Sequence, residues 1–406
     1  MNTAYYFNEK PMQRQTRFCL LAAGLLLTAC TTLQKPPAPT AVPPPVVIPP
    51  IPPSPKLQVS SWDEMPGWSE DDLVQAWDAF LQSCNALVNQ LAWQPVCLTA
   101  EFFEHKDNQN LHLFFESNFT PYQVVNADGS DEGLVTGYYE PLLHGSRAPS
   151  NRFRYPIYGV PDDLLVVDMS DVYPELKNLR LRGRIVGKKV VPYYSRAEID
   201  RGKPALEGRE LLWVDDPVDL FFLQIQGSGR IKLDSGETIH VGYADQNGYP
   251  YKSIGRLLVE RGELPLEKAS MQGIKNWAVQ NPQKLATLLN ENPSYVFFRV
   301  MPNNLPGPIG SLGVPLTAGR SLAIDPHAVP QGAPVYLSTT WPNTDKPLNR
   351  LMLAQDRGGA INGGVRADFF WGFGEQAANQ AGKMKQRGKM WVLLPKDYDP
   401  PPSQLN

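Results

Sequence analysis

The chain has 406 residues, 42% of them hydrophobic and 19% charged, with a formal net charge of −3 at pH 7. That length suits two or three domains with ample sequence for buried cores, and the apolar share excludes a wholly disordered chain. No basic excess is present to neutralise phosphates, so no nucleic-acid partner is expected, and no run of eighteen apolar residues offers a helical membrane span.

The N-terminal stretch reads as an address. Lys10, Arg14 and Arg17 form a basic region, and Phe18 to Leu27 an apolar one that is too short for a bilayer but right for a signal peptide. Leu27-Thr28-Ala29-Cys30 resembles the bacterial lipoprotein signal, which implies that residues 1–29 are removed and that Cys30 is acylated. Thr31, rather than an acid, follows Cys30, and the same resemblance then implies outer-membrane placement on the periplasmic face. Residues 36–55 carry eleven of the forty prolines. Proline fixes φ and lacks an N–H, so this stretch suits a polyproline II spacer of about 60 Å at roughly 3.1 Å per residue. Cys84 and Cys97 remain as either a disulfide, allowed in an oxidising compartment, or two buried thiols.

Beyond the spacer, Ser69 with Asp72 suggests a capping box. Leu73, Trp77, Phe80, Cys84, Leu87 and Leu91 then recur at helical spacing. A shorter helix is expected over 111–117. From Val135 the texture becomes short β-rich runs broken by Gly and Pro, with Val218 to Gln226 apolar enough for a buried strand. Helical patterns return over 253–261, 269–280 and 282–290, then strand over 295–300 and a β-dominated stretch over 307–394. The pattern predicts a mainly β protein with accessory helices and two barrel-like units.

The densest chemistry lies in LMLAQDRGGAINGGVRADFFWGFG, residues 351–374. Asp356 enters a Gly-rich turn, and Asp325 stands at an earlier strand end; both suit turn formation as well as catalysis. Asp368 is followed by Phe369, Phe370 and Trp371. Such a setting withdraws a carboxyl from water and raises its pKa, as a general acid requires. Gly227-Ser228-Gly229 lacks the fuller nucleophile elbow. The five histidines are scattered and suggest no zinc site. No phosphate-loop Lys follows the Gly pairs.

Taken together, GYYEP (137–141), RYPIY (154–158), SRAEI (195–199), LQIQGSGRI (223–231), GYADQNGYPYKSIGR (242–256), SYVFFR (294–299), VPLTAGRSLAIDP (314–326) and AQDRGGAINGGVRADFFWG (354–372) resemble the membrane-bound lytic murein transglycosylase A family. The last segments resemble its 3D domain, named for three aspartates that fall on Asp325, Asp356 and Asp368. The resemblance implies a double-psi β-barrel domain over 57–140 and 301–396, with N-terminal helices. A second β-barrel domain would be inserted over 141–300, with a substrate groove between the two. The lipidated Cys and tether would occupy 30–56, and a tail 397–406.

The implied activity is non-hydrolytic cleavage of the β-1,4 bond between N-acetylmuramic acid and N-acetylglucosamine, leaving 1,6-anhydromuramic ends. Asp368 would be the single acid/base, supported by Asp356 and Asp325. Tyr138, Tyr139, Gln226, Ser228 and Tyr243 are candidate sugar contacts, since aromatic faces suit sugar C–H surfaces and amides fix hydroxyl orientation. No metal or organic cofactor is implied. The expected partners are peptidoglycan glycan strands, the outer membrane through the lipid anchor, and other cell-wall enzymes. A murein-binding lipoprotein without catalysis and a hydrolytic muramidase are the rival readings; the latter would need a second acid, for which Glu140 is the candidate.

Overall fold

The computed structural model describes residues 55–400 apart from 174, 175, 177, 178, 180, 304, 360 and 399. The expected signal, Cys30 and nearly all of the spacer lie outside the described residues. Lys56, placed at the end of the expected tether, already belongs to strand β1 (Lys56–Val59). Three helices follow: α1 (Val74–Leu87), α2 (Gln94–Glu101) and α3 (Asn108–Asn118).

The α1 stripe is core as expected, with Trp77, Phe80, Cys84 and Leu87 buried. Leu91 is not part of it: it lies beyond the helix end and is 87% exposed. Nor does Ser69 cap the helix, since it sits in a separate 3-10 turn over Trp68–Glu70. Tertiary partners replace the local cap. The Leu73 N–H donates to Asn108 Oδ1 at 2.7 Å, while Asp71, fully enclosed, takes both ends of the Arg320 guanidinium at 2.9 Å. Cys84 and Cys97 form a disulfide that staples α1 to α2. A loop of this size contributes about 3 kcal/mol.

The chain next lays down β2 (Phe119–Val125) and β3 (Gly133–Glu140), then leaves through β4 (Leu142–Ser146). The elements of a second sheet and of a small third one follow: β5 (Tyr155–Tyr158), β6 (Leu165–Val166), β7 (Arg182–Val186), β8 (Lys189–Pro192), α4 (Arg196–Asp200) and β9 (Glu210–Val214). After these come α5 (Pro217–Gln226), β10 (Ser228–Leu233), β11 (Thr238–Gln246), α6 (Ile254–Glu260), α7 (Met271–Gln280), α8 (Pro282–Asn290) and β12 (Val296–Met301). Strands order as β12-β11-β10-β4-β9-β5, and β6-β7-β8 form a separate small sheet. The edge strands β5 and β12 approach within 8 Å Cα–Cα, so the sheet curls toward a barrel.

The stretch from Val218 to Gln226, expected as a strand, is helix α5. Asp216 caps it by accepting from the N–H groups of Val218 and Asp219, Pro217 fills the first turn, and Gly227 ends it at φ 77°. These are strong helix start and stop signals, and they outweigh the apolar run. The helix buries Val218, Leu220, Phe221 and Leu223 because it has sheet on one side and α6–α8 on the other.

The chain then returns through β13 (Ser321–Ile324), β14 (Pro334–Thr340), β15 (Pro347–Asp356), β16 (Arg366–Phe373), α9 (Glu375–Lys383) and β17 (Lys385–Pro395). Here β3, β16, β13, β15, β14 and β17 pair in sequence, and β17 pairs back onto β3. This closes a six-stranded barrel with parallel pairs at β3–β16 and β13–β15. Closure removes the edges that an open sheet would expose. The fold is therefore mainly β with accessory helices, as the resemblance implies. Its large core joins the helices to the barrel through Trp77, Phe80, Phe115, Phe119, Tyr336 and Trp391.

Candidate active site

Strand register builds the site. Asp368 on β16 stands opposite Thr136 on β3 and, on its other side, Ala323 on β13. Ala323 in turn stands opposite Asp356 on β15. Thr136, Asp368, Ala323 and Asp356 thus form one row across four adjacent strands, and Asp325 follows two residues beyond Ala323. An irregularity in the β13–β15 pairing puts three residue steps on β15 against two on β13. Asp356 therefore takes the place in the row that regular pairing would give Gln355. Gln355 is buried instead, donating to Ala79 O at 2.7 Å and accepting from Ser321 Oγ at 2.6 Å.

The three carboxyls are held differently. Asp368 is half-buried and accepts from Thr136 Oγ1 at 2.7 Å. Burial pushes its pKa up to about 6, opposed by the Thr136 hydroxyl and by Arg366, and aided by the neighbouring Asp356 charge. Asp356 accepts from Tyr138 Oη at 3.1 Å and from the N–H groups of Ser311 and Arg357 at 2.9 Å. Its pKa is also raised by burial, against the pull of those donors. Asp325 accepts from the Gly363 N–H at 2.8 Å and from the His327 N–H at 3.0 Å, with His327 Nδ1 2.8 Å away. Gly363 sits at φ 112°, open to glycine alone without strain. Asp325 therefore organises the Gly-rich turn and the start of β16.

The aromatics beside Asp368 divide by strand alternation. Phe369 is buried in the barrel core and Phe370 packs on Tyr138, with ring centroids 5.1 Å apart. The Trp371 indole N–H lies 3.2 Å from Met384 Sδ. Gly137 lets that indole close, since a Cβ there would lie 2.6 Å from Trp371 Nε1.

Of the expected sugar contacts, Tyr138 is a buried support beneath Asp356, and its own pKa is raised well above the usual range by burial and the two carboxyls. Tyr139 is half-buried, and its backbone N–H donates to Gln226 Oε1 at 3.1 Å. That bond joins β3 to the end of α5. Ser228 opens β10 opposite Gly242, and Tyr243 on the next strand keeps 38% of its surface exposed. Glu140, the rival acid, is only 2% exposed and pairs with Arg230 Nε at 2.8 Å. Arg230 also stacks over Phe373, 3.8 Å from its centroid. Among the described residues, no three His, Cys, Asp or Glu side chains are placed to hold a metal ion.

Two family models match the chain: the MltA specific insert domain over residues 134–299 and the 3D domain over 320–394. The membrane-bound lytic murein transglycosylase A of Vibrio cholerae is 32% identical over 278 residues, covering 67% of this chain and 68% of that protein. The crystal structure of MltA from Neisseria gonorrhoeae superposes with a TM-score of 0.74 at 42% identity, covering 85% of this chain and 94% of that one. The chain belongs to the lytic murein transglycosylase A family. A further family structure, Escherichia coli MltA with bound chitohexaose, matches at 28% identity and a TM-score of 0.58, covering 79% and 90% of the two chains.

Within this lytic transglycosylase, sequence reasoning missed Thr136 and Ser311. Both act on carboxyls far away in sequence, Thr136 and Asp368 being 232 positions apart. The only available signal was the position of Thr136 immediately before the GYYEP motif.

Proposed function

We propose that this family member cleaves the β-1,4 bond between N-acetylmuramic acid and N-acetylglucosamine without water, using Asp368 as its one acid/base. The observation that carries the reading is a carboxyl with a pKa pushed up to about 6, reached by a hydroxyl donor rather than a bound cation. Such a group holds its proton at mildly acidic pH and can release and recover it within one turnover.

Protonated Asp368 donates to the glycosidic oxygen as the C1–O bond breaks. The substrate's own acetamido group stabilises the positive charge at C1. Asp368, now a carboxylate, takes the proton from the C6 hydroxyl, whose oxygen attacks C1 and closes the 1,6-anhydro ring. The proton count returns to its start, and no water enters the product. Because the nucleophile is intramolecular, the step gains from high effective molarity. Asp356 and Asp325 support this chemistry through charge and turn geometry. The bound chitohexaose of the E. coli relative supports a glycan ligand, and the proposed path for it runs along the face where β3 meets the second sheet, with Tyr139, Gln226, Ser228 and Tyr243 toward it. The commitment of Glu140 to Arg230 counts against a hydrolytic pair of carboxylates.

For placement, we propose an acylated Cys30 in the outer membrane and a proline-rich spacer of about 60 Å that lets the enzyme reach murein. Shortening residues 36–55 should impair wall cleavage in cells and leave activity on isolated sacculi intact; equal loss in both would sink the tether. For the chemistry, Asp368→Asn should cut release of 1,6-anhydromuropeptides from sacculi by about 10²- to 10⁴-fold while leaving the fold intact. Retained release would overturn the assignment.

A further inference from the structure

We infer that the β7–β8 hairpin is a membrane-contacting tip that enters the interface of an anionic lipid surface. The hairpin turns through Gly187-Lys188, and Gly187 at φ 61° suits the first position of a two-residue II′ loop. Register pairs Ile185 with Val190 and Val186 with Lys189. Ile185 and Val190 share one face and are 65% and 56% exposed; Val186, on the opposite face, is 48% exposed.

Apolar side chains on both faces of a ribbon tip are an unusual arrangement for a protein interface. A flat partner docking on one face would leave the other in water. Immersion of the tip to the headgroup–acyl boundary covers both at once. Lys188 and Lys189 are exposed at the apex, where ammonium groups meet lipid phosphates while their stems lie along apolar chains.

The root of the hairpin is built to hold the tip out. Arg182 is tied to Asp245 at 2.8 Å, and the Arg184 guanidinium lies 4.2 Å from the Tyr194 ring centroid. Nearby acids are largely engaged with their own surroundings. Asp168 accepts from the Ser170 N–H and hydroxyl at 2.9 and 2.6 Å, and Asp163 accepts from Tyr193 Oη at 2.7 Å. Asp171 is the exposed acid of the preceding turn. The charge that reaches furthest along the ribbon is therefore positive, complementary to an anionic leaflet. The inference does not depend on the proposed acylation of Cys30.

Hydrogen exchange by mass spectrometry on the full chain tests it, because the readout is local and separates the hairpin from any N-terminal anchor. On vesicles of phosphatidylethanolamine and phosphatidylglycerol, amides of residues 183–192 should exchange on the order of tenfold more slowly than in solution. Phosphatidylcholine vesicles should protect them much less. Ile185→Asp with Val190→Asp should remove the protection. Lys188→Gln with Lys189→Gln should weaken it about 25-fold in lipid concentration, roughly fivefold per lysine. Both variants should cleave solubilised murein as the parent does. Unchanged exchange over 183–192 on anionic vesicles would overturn the inference, as would protection that appears only with a protein partner.

Discussion

The acids of the barrel row and those of the inserted sheet sit in similar burial but are treated in opposite ways. Where the barrel meets the inserted region Glu140 pairs with Arg230, and within that region Asp245 pairs with Arg182 and Asp219 with Lys275. Each is neutralised by a cation at contact distance. Asp368 instead meets the Thr136 hydroxyl. Arg366, two residues away, directs its donors at the carbonyls of Leu134 and Ala367. A carboxylate paired at contact distance is committed to the architecture. A buried one offered only a neutral donor keeps its proton longer and becomes available for chemistry. The Asp71–Arg320 pair shows that the barrel also uses ion pairs where it needs structure.

That contrast can be broken at either end. Asp368→Asn should cost about 10²- to 10⁴-fold in murein cleavage, the usual worth of a general acid–base, measured as soluble muropeptide release. Arg230→Met should do the reverse, leaving the chemistry in place but stranding Glu140. Losing one partner of a buried pair costs about 3–5 kcal/mol. Arg230 is partly exposed, so the low end is expected, read as a fall in denaturation midpoint. If Arg230→Met melted like the parent, the structural role of the pair would be wrong.

The raised pKa also carries a stability signature. Between about pH 4 and 6 the folded state holds a proton on Asp368 that the unfolded state has released. Stability therefore falls as pH rises through that window. Asp368→Asn has no such loss and should melt higher than the parent above pH 6, with the difference closing near pH 4. A constant difference across that range would mean that Asp368 is not held protonated by the fold. The smallest expected effect is that of Thr136→Val. Removing a donor to the ionised carboxyl raises its pKa further, so the alkaline limb of the pH–rate profile should move up by about 0.7 of a unit, equivalent to ~1 kcal/mol. A downward shift would show that Thr136 acts in some other way.

Much of this was legible in the residues. The Asp368 segment pointed to a desolvated acid because three aromatics follow it, and burial does raise its pKa, with Phe369 in the barrel core and Phe370 packed on Tyr138. The helical stripe through Trp77 and Phe80 was equally plain. What escaped were arrangements set by distant pairing. The Thr136–Asp368–Ala323–Asp356 row requires strands from residues 136 to 368 to come into register. The burial of Glu140 requires Arg230 from another sheet. Ser69 is not a cap because it lies inside the 3-10 turn Trp68–Glu70, and the α1 start at Val74 is held instead by Asn108, far along the chain. Helix α5 is a different kind of miss. Its Asp-Pro start and Gly stop are plain in the sequence, and these caps outweigh the apolar density of the run.

The most direct test of the central claim is the mass of the product released from purified sacculi by the unaltered enzyme. If Asp368 serves as both acid and base and the muramic C6 oxygen is the nucleophile, each released glycan end is lighter by one water than its hydrolysed counterpart and lacks a reducing terminus. Products carrying a reducing N-acetylmuramic end, with oxygen drawn from labelled solvent water, would contradict the account.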